Sequence, residues 1–190
     1  MTELASFFPA IVDAPDDDVP RLVCADWLSE RDDPRGDFIR AQVQLAHLAR
    51  NHPSWLPLLE CQNQLLSRHW DAWVGPLRQT LRPDEVRRWE PWIYEPPSDQ
   101  AHLHFRRGFV DRLALTPQVF TETWRELHQA APLHHLRLIG AGEGPPLALA
   151  QCPGLEWVST LEFLDPHRQP LGWEQMRVLA GSPHLRRLRR

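Results

Sequence analysis

No lysine occurs anywhere in the 190-residue chain; all 21 basic side chains are arginine. A phosphate-binding loop uses a Lys to reach the phosphates, and a protein kinase needs one on its third strand. Schiff-base chemistry needs a Lys amine. All three are excluded. A codon pool rich in G and C favours Arg, Ala, Pro and Gly, and this accounts for most of the bias. Cysteine is scarce as well: Cys24, Cys61 and Cys152 are odd in number and lack metal-type spacing. They suit a reducing compartment better than a disulfide framework. No apolar run is long enough to span a membrane, and the Met-Thr-Glu start has no basic region. Neither a membrane span nor a signal peptide is expected, and a cytoplasmic location follows.

What is present is globular. Hydrophobic residues make up 42% and charged ones 24%, enough for one or two domains with a buried core. The net charge of −4 is unevenly placed. Residues 1–37 hold ten acids and three Arg, whereas residues 166–190 hold six Arg and one Glu. Such polarity bears on association rather than on fold.

The first half reads as helices. Leu4 to Val12 forms a short apolar helix ending near Pro15. Asp18 is placed as the N-cap of a second, with Pro20 in its first turn and Leu22, Val23, Trp27 and Leu28 buried. After the turn Asp32-Asp33-Pro34-Arg35-Gly36, Asp37 is expected to cap a third helix carrying Phe38, Ile39 and Val43. Pro53 and Ser54 open a fourth, which Gly75-Pro76 should stop. This sets a helical domain at 1–74 and a Pro- and Trp-rich connecting segment at 75–100, packed through Trp89 and Trp92.

Residues 101–190 change character. His102 to Phe105 reads as a strand and Arg107-Gly108 as a turn. A six-residue core, apolar at its first, fourth and sixth positions, then recurs. It appears as Val110 to Leu115, Leu133 to Leu138 and Val158 to Phe163, while Leu185 to Arg190 keeps the first two apolar positions. The starts at 110, 133, 158 and 185 match the length and the L-x-x-L-x-L core of a leucine-rich repeat. Helical or irregular returns are expected at Pro117 to Ala130, Pro145 to Gln151 and Trp173 to Ala180. The Asn or Cys of a regular repeat is missing, since Gln118, Ala141 and Pro166 stand there, so the turns should be irregular. The fold class is α/β (α+β): a helical cap followed by a short, degenerate leucine-rich-repeat solenoid with a parallel sheet.

The block from Pro15 through Asp26-Trp27-Leu28, Asp32-Asp33-Pro34-Arg35-Gly36 and Asp37-Phe38-Ile39-Arg40 resembles the signature of the bacterial repeat-companion domain. Phe105-Arg106-Arg107-Gly108-Phe109-Val110 resembles that family's entry into its first repeat. Cys24 departs from the pattern, where an aromatic residue is usual. The resemblance implies a helical cap on a short solenoid in a GC-rich bacterium. It implies no activity.

Chemistry-bearing residues are few. Asp16, Asp17 and Asp18 lack the Gly and bidentate Glu of a calcium loop and suit a helix start instead. Asp18, Arg21, Asp26, Trp27, Arg31, Asp37 and Arg40 suit a structural network pinning the two helices together. His102 and His104 share one strand face and, with His134 or His135, could hold zinc in a small metal-dependent hydrolase. No general-base motif accompanies them, and no Ser stands in a nucleophile-elbow context. No catalytic residue, cofactor or metal ligand is therefore assigned.

The outward side chains of the repeat strands form the leading functional surface. One column is Arg112, His135, Thr160 and Arg187; the next is Ala114, Arg137, Glu162 and Arg189, with Arg137, Glu162 and Arg189 expected as an ion ladder. Together with Arg186 at the open C-terminal edge they present a basic face. The expected function is a non-enzymatic interaction module or adaptor for an acidic protein partner, with self-association through that edge as a variant. A nucleic-acid reading of the terminal Arg cluster competes, but the isoelectric point near 6.2 argues against it.

Overall fold

A 3-10 turn at Glu3–Phe7 leads into α1 (Phe8–Asp13) in the computed structural model, which describes residues 3–81, 86–88, 101–140, 146–164 and 172–189. α2 (Val19–Ser29), α3 (Arg35–His47) and α4 (Trp55–Thr80) follow. Asp18 holds the N-cap position of α2 but its side chain makes no capping bond, and α3 starts at Arg35, ahead of Asp37. Asp17, not Asp18, accepts the Val19 N–H at 2.9 Å, and Asp33, not Asp37, accepts the Arg35 N–H at 2.9 Å. In both cases an Asp carboxylate reaches the amide two residues on, and this local loop closes before a more distant cap can form.

α2 is rotated from its expected face. Leu22 and Val23 are 36% and 53% exposed, while Arg21, Cys24, Ala25 and Leu28 face inward. The cause is the closeness of α3: a Cβ on Gly36 would lie 2.8 Å from the Ala25 carbonyl oxygen. Only the small side chains of α2 fit that seam.

α4 continues through Gly75 and Pro76 to Thr80, so this pair does not stop the helix. Pro76 and Ala72 are exposed, so the carbonyl that Pro76 cannot bond faces solvent. At this end of α4, Val74, Leu77 and Leu81 join the core beneath the sheet. Trp89 and Trp92 lie outside the described residues.

The sheet is ordered β1 (Val86–Arg88), β2 (Ala101–Arg106), β3 (Phe109–Leu115), β4 (His135–Ile139) and β5 (Thr160–Leu164). It is an open mixed sheet rather than a parallel one, because β2 and β3 form an antiparallel hairpin while the other neighbours run parallel. α5 (Pro117–Ala130), then α6 (Pro146–Ala150) and a 3-10 segment (Pro153–Trp157), lie between the parallel strands. α7 (Trp173–Ala180) follows β5. Leu113, Leu115, Leu136 and Leu138 pack with Phe120, Leu127, Leu149, Leu155 and Leu179, so the described helices cover the leucine face.

Leu185 to Arg189 is not a strand. The Arg186 Nε donates to the Pro183 carbonyl at 3.0 Å, and Arg187 pairs with Asp13 of α1. These guanidinium contacts curl the chain into turns. One backbone bond reaches the sheet, from Arg189 N–H to Ser159 O at 2.8 Å. Among the described residues no helix is long and apolar enough to cross a membrane.

Two joints fasten the helical cap to the sheet. At the β2–β3 turn, Arg107 and Gly108 have φ of 50° and 93°, the positive values a tight hairpin requires. Gly108 N–H donates to Gln42 Oε1 at 2.7 Å, and Arg107 Nη1 donates to Asp16 O at 2.7 Å and lies 3.1 Å from Asp18 Oδ1. Phe109 enters the cap core, edge-on to Phe8 at 5.6 Å. At the second joint, Trp157 packs on the cap core and stacks on buried His128 with ring centroids 4.2 Å apart.

Gly108→Ala is expected to lower stability by about 3 kcal/mol in urea unfolding, since left-handed strain adds to a collision. The added Cβ would lie 2.1 Å from Ile39 Cγ1. An unchanged midpoint would show that the turn is not seated on α3.

Burial pushes the His128 imidazole down to about 4. Unfolded, it titrates near about 6.5, so between those values the folded chain binds fewer protons. Its contribution is complete above about pH 6.5 and is lost as pH falls toward 4. His128→Phe keeps the stack, and it should reduce the stability lost between pH 7 and 4.5 by about 2–3 kcal/mol in paired urea titrations.

Candidate functional site

The repeat cores place polar residues at their second positions, and the fold gathers them. Asp111, His134 and Ser159 are each more than nine-tenths buried at the entry of successive strands. Their backbones are linked: His134 N–H donates to Asp111 O at 3.3 Å, and Ser159 N–H donates to His134 O at 2.8 Å. β3 carries one extra residue here, because His104 opposes Arg112 while Phe105 opposes Val110. That bulge sets Asp111 beside β2, with Oδ1 3.2 Å from His104 Nδ1 and Oδ2 3.9 Å from His134 Nε2.

Above these residues lies a cleft of about 350 Å³ between the Pro15–Asp16 loop, the strand entries and Arg189. Arg106, Arg112, His135 and Thr160 complete its wall. Arg106 Nη2 donates to Asp16 Oδ1 at 3.0 Å, and Arg112 Nε donates to His135 Nδ1 at 3.1 Å. A second recess of about 460 Å³, lined by Asp13 and Arg186 to Arg189, shares Pro15, Ser159 and Arg189 with it.

The electrostatics follow from burial. Burial raises the Asp111 carboxyl, but the His104 bond and the charges of His104, His134 and Arg106 outweigh it, leaving Asp111 below the usual carboxylate range. Burial lowers His134 despite Asp111, and it pushes His135 down to about 4 with help from Arg112, so the His135 imidazole is neutral near pH 7. Arg21, fully buried behind the joint, is brought down to about 10 by burial and by Arg107, and it stays protonated. Asp111 is among the charges that sustain it.

Five of the residues expected on the partner surface are brought together. Arg112, His135 and Thr160 align across β3, β4 and β5, as do Ala114, Arg137 and Glu162. Arg137 Nε and Nη2 hold Glu162 Oε2 at 2.8 and 2.7 Å, and His135 Nε2 lies 3.0 Å from Oε1. Burial raises Glu162, but Arg137 and His135 overcome this and hold it below its ordinary value. The expected places of Arg187 beside Thr160 and Arg189 beside Glu162 are not taken, because the last segment is no strand. Arg187 turns to Asp13, and Arg189 borders the cleft instead. The ladder therefore stops at Arg137 and Glu162.

The residues expected as a helix-pinning network divide between two places. Arg40 pairs with Asp26 at 2.7 Å and Asp37 at 3.4 Å, and the Arg31 guanidinium lies 4.1 Å over Trp27. Asp18 and Arg21 instead serve the joint with the sheet, where Asp18 meets Arg107 and His47 and Arg21 donates to Asp17 O at 3.1 Å.

Of the expected metal pair, His104 is engaged with Asp111, and the His102 side chain lies outside the described residues. Among the described residues no three His, Cys, Asp or Glu side chains converge as metal ligands would. Burial pushes the Cys24 thiol up to about 12 and raises Cys152, so neither is a ready nucleophile.

Sequence reasoning missed Asp111, His134, Ser159, Arg106 and Asp16 as a group. The signal for the first three was in the repeat alignment, where the second position reads Asp, His, Ser. No family model matches the chain, no curated protein matches it, and no solved structure matches it.

Asp111→Asn should cost about 3 kcal/mol of stability, because it strips a buried countercharge from Arg21, Arg106 and His104. In a double-mutant cycle, Arg21→Met should cost clearly less in the Asp111→Asn background than in the native chain. Additive losses would show that the two charges do not sense each other.

Proposed function

We propose that this chain is a non-enzymatic protein-interaction module, an adaptor whose cap and strand repeats present a basic cleft and sheet face to an acidic protein partner. One observation carries the reading. Parallel strands set 23 and 25 residues apart hold Arg112, His135 and Thr160, and Arg137 and Glu162, in register on the face away from the leucine core, beside Arg106 and Arg189. A face so ordered, with side chains held by each other and open to a partner, is how short solenoids make binding surfaces. The description as a repeat-companion cap on a degenerate leucine-rich-repeat solenoid belongs to the same proposal, and so does a cytoplasmic setting. The strand spacing and the seating of Phe105 to Val110 against the cap support it.

Head-to-tail self-association receives less support, because acids of the N-terminal end are already paired within one chain. Asp13 pairs with Arg187, Asp16 with Arg106 and Asp18 with Arg107. The same pairing of Arg187 narrows the basic footprint that nucleic acid would need.

Panning a random displayed-peptide library against the immobilised chain tests the reading. Selected peptides should be rich in Asp and Glu and should bind more weakly as salt is raised. Arg112→Ser combined with Arg189→Ser should reduce their binding by at least about tenfold. Selection of basic or purely apolar peptides, or none at all, would overturn it.

A further inference from the structure

We infer that the cleft between the Pro15–Asp16 loop, the strand entries and Arg189 is a subsite for a phosphoryl group carried by the acidic partner, an inference that rests on the interaction reading above. The floor is built from groups that the fold has already buried. Asp111 and His134 are each 4% exposed, and Ser159 is 8% exposed. The wall supplies donors. The Arg189 guanidinium borders the cleft with no partner among the described residues, although its backbone N–H is anchored to Ser159 O. The Thr160 hydroxyl beside it likewise makes no hydrogen bond among the described residues. Arg106, which also lines the cleft, commits Nη2 to Asp16. Arg112 lines the same wall, fixed through Nε to His135.

The number of donors selects the ligand. A carboxylate is filled by one guanidinium fork, which would leave the remaining donors to water alone. A phosphoryl group offers three strong acceptor oxygens and nearly two negative charges, so it can engage Arg189, Arg106 and the Thr160 hydroxyl together. The buried Asp111 carboxylate does not defeat this, because the imidazoles of His104 and His134 lie against its two oxygens. Asp16 competes for Arg106, and a phosphoryl group displaces it by its larger charge. Clusters of Arg with hydroxyl donors are the usual chemistry of phosphopeptide recognition.

The test is a titration of the full, isotope-labelled chain with phenyl phosphate, and separately with benzoate, followed by backbone amide shifts. Phenyl phosphate should move the amides of Asp111, His134, Ser159, Thr160 and Arg189 and bind about tenfold or more tightly than benzoate. The exposed substitution Arg189→Ser should weaken it by about tenfold, and Thr160→Val should do so less. Equal binding of benzoate, indifference to Arg189→Ser, or shifts scattered over all surface arginines would each overturn the inference. A phosphoserine peptide compared with its Glu counterpart identifies the carrier, the phosphopeptide binding more tightly if the group arrives on a protein. Acidic peptides that bind while phenyl phosphate leaves the cleft unmoved would sink this subsite and leave the interaction reading standing. Phenyl phosphate in the cleft with no peptide binding would overturn the interaction reading instead, and mark a site for a free phosphate ester.

Discussion

The hairpin turn at Arg107 and Gly108 presses directly on α3, and the position of everything on the sheet follows from that contact. A residue with any side chain at 108 would occupy the space of Ile39, and the backbone φ of 93° excludes most residues on its own account. With Gly108 seated, its amide reaches Gln42, Phe109 enters the cap core, and Arg107 is drawn onto Asp18 and the Asp16 carbonyl. The Pro15–Asp16 loop is then held above the strand entries. The cleft exists because this loop and the first repeat are fixed relative to each other.

Charge is used in the same way. The acids of the first 37 residues and the arginines of the last 25 suggest two ends waiting for partners. In the folded chain Asp13 meets Arg187, while Asp16 and Asp18 meet Arg106 and Arg107 of the β2–β3 hairpin. The Asp13–Arg187 and Asp16–Arg106 pairs are exposed, and such pairs contribute little stability singly, whereas Asp18 and Arg107 are largely buried. Their effect is positional. Arginine suits it, since a planar fork can hold a carboxylate with one edge and keep further donors aimed elsewhere. Arg106 does this between Asp16 and the cleft. Asp111, His134 and Arg21 are buried, and the lower dielectric there gives the charges of Asp111 and Arg21 more weight.

Much of the architecture was legible in the chain. α5 and α7 begin and end where proline, glycine and apolar spacing placed them, at Pro117–Ala130 and Trp173–Ala180. The L-x-x-L-x-L cores gave the register of three strands correctly, because a period-two pattern with one buried face permits no slip. Other features were not legible. The face of α2 depended on how near α3 would come, and that nearness arises from Gly36, on a different helix. The continuation of α4 past Pro76 depended on solvent meeting the freed carbonyl and on a leucine core for Leu77 and Leu81 to enter.

Local sequence thus determined the elements, the repeat spacing and the columns of Arg112, His135, Thr160, Arg137 and Glu162, since these depend only on periodicity along the chain. It also excluded lysine chemistry by composition alone. Tertiary structure decided what the last arginines do. Leu185 to Arg189 matches a strand core in pattern, yet Arg187 finds Asp13 and Arg186 finds the Pro183 carbonyl, so the segment curls and places Arg189 at the cleft. It also decided that Asp111, His134 and Ser159 form one buried group. Residues more than twenty positions apart become neighbours only when parallel strands stack, and no pattern within a single strand records which side chains that stacking will enclose.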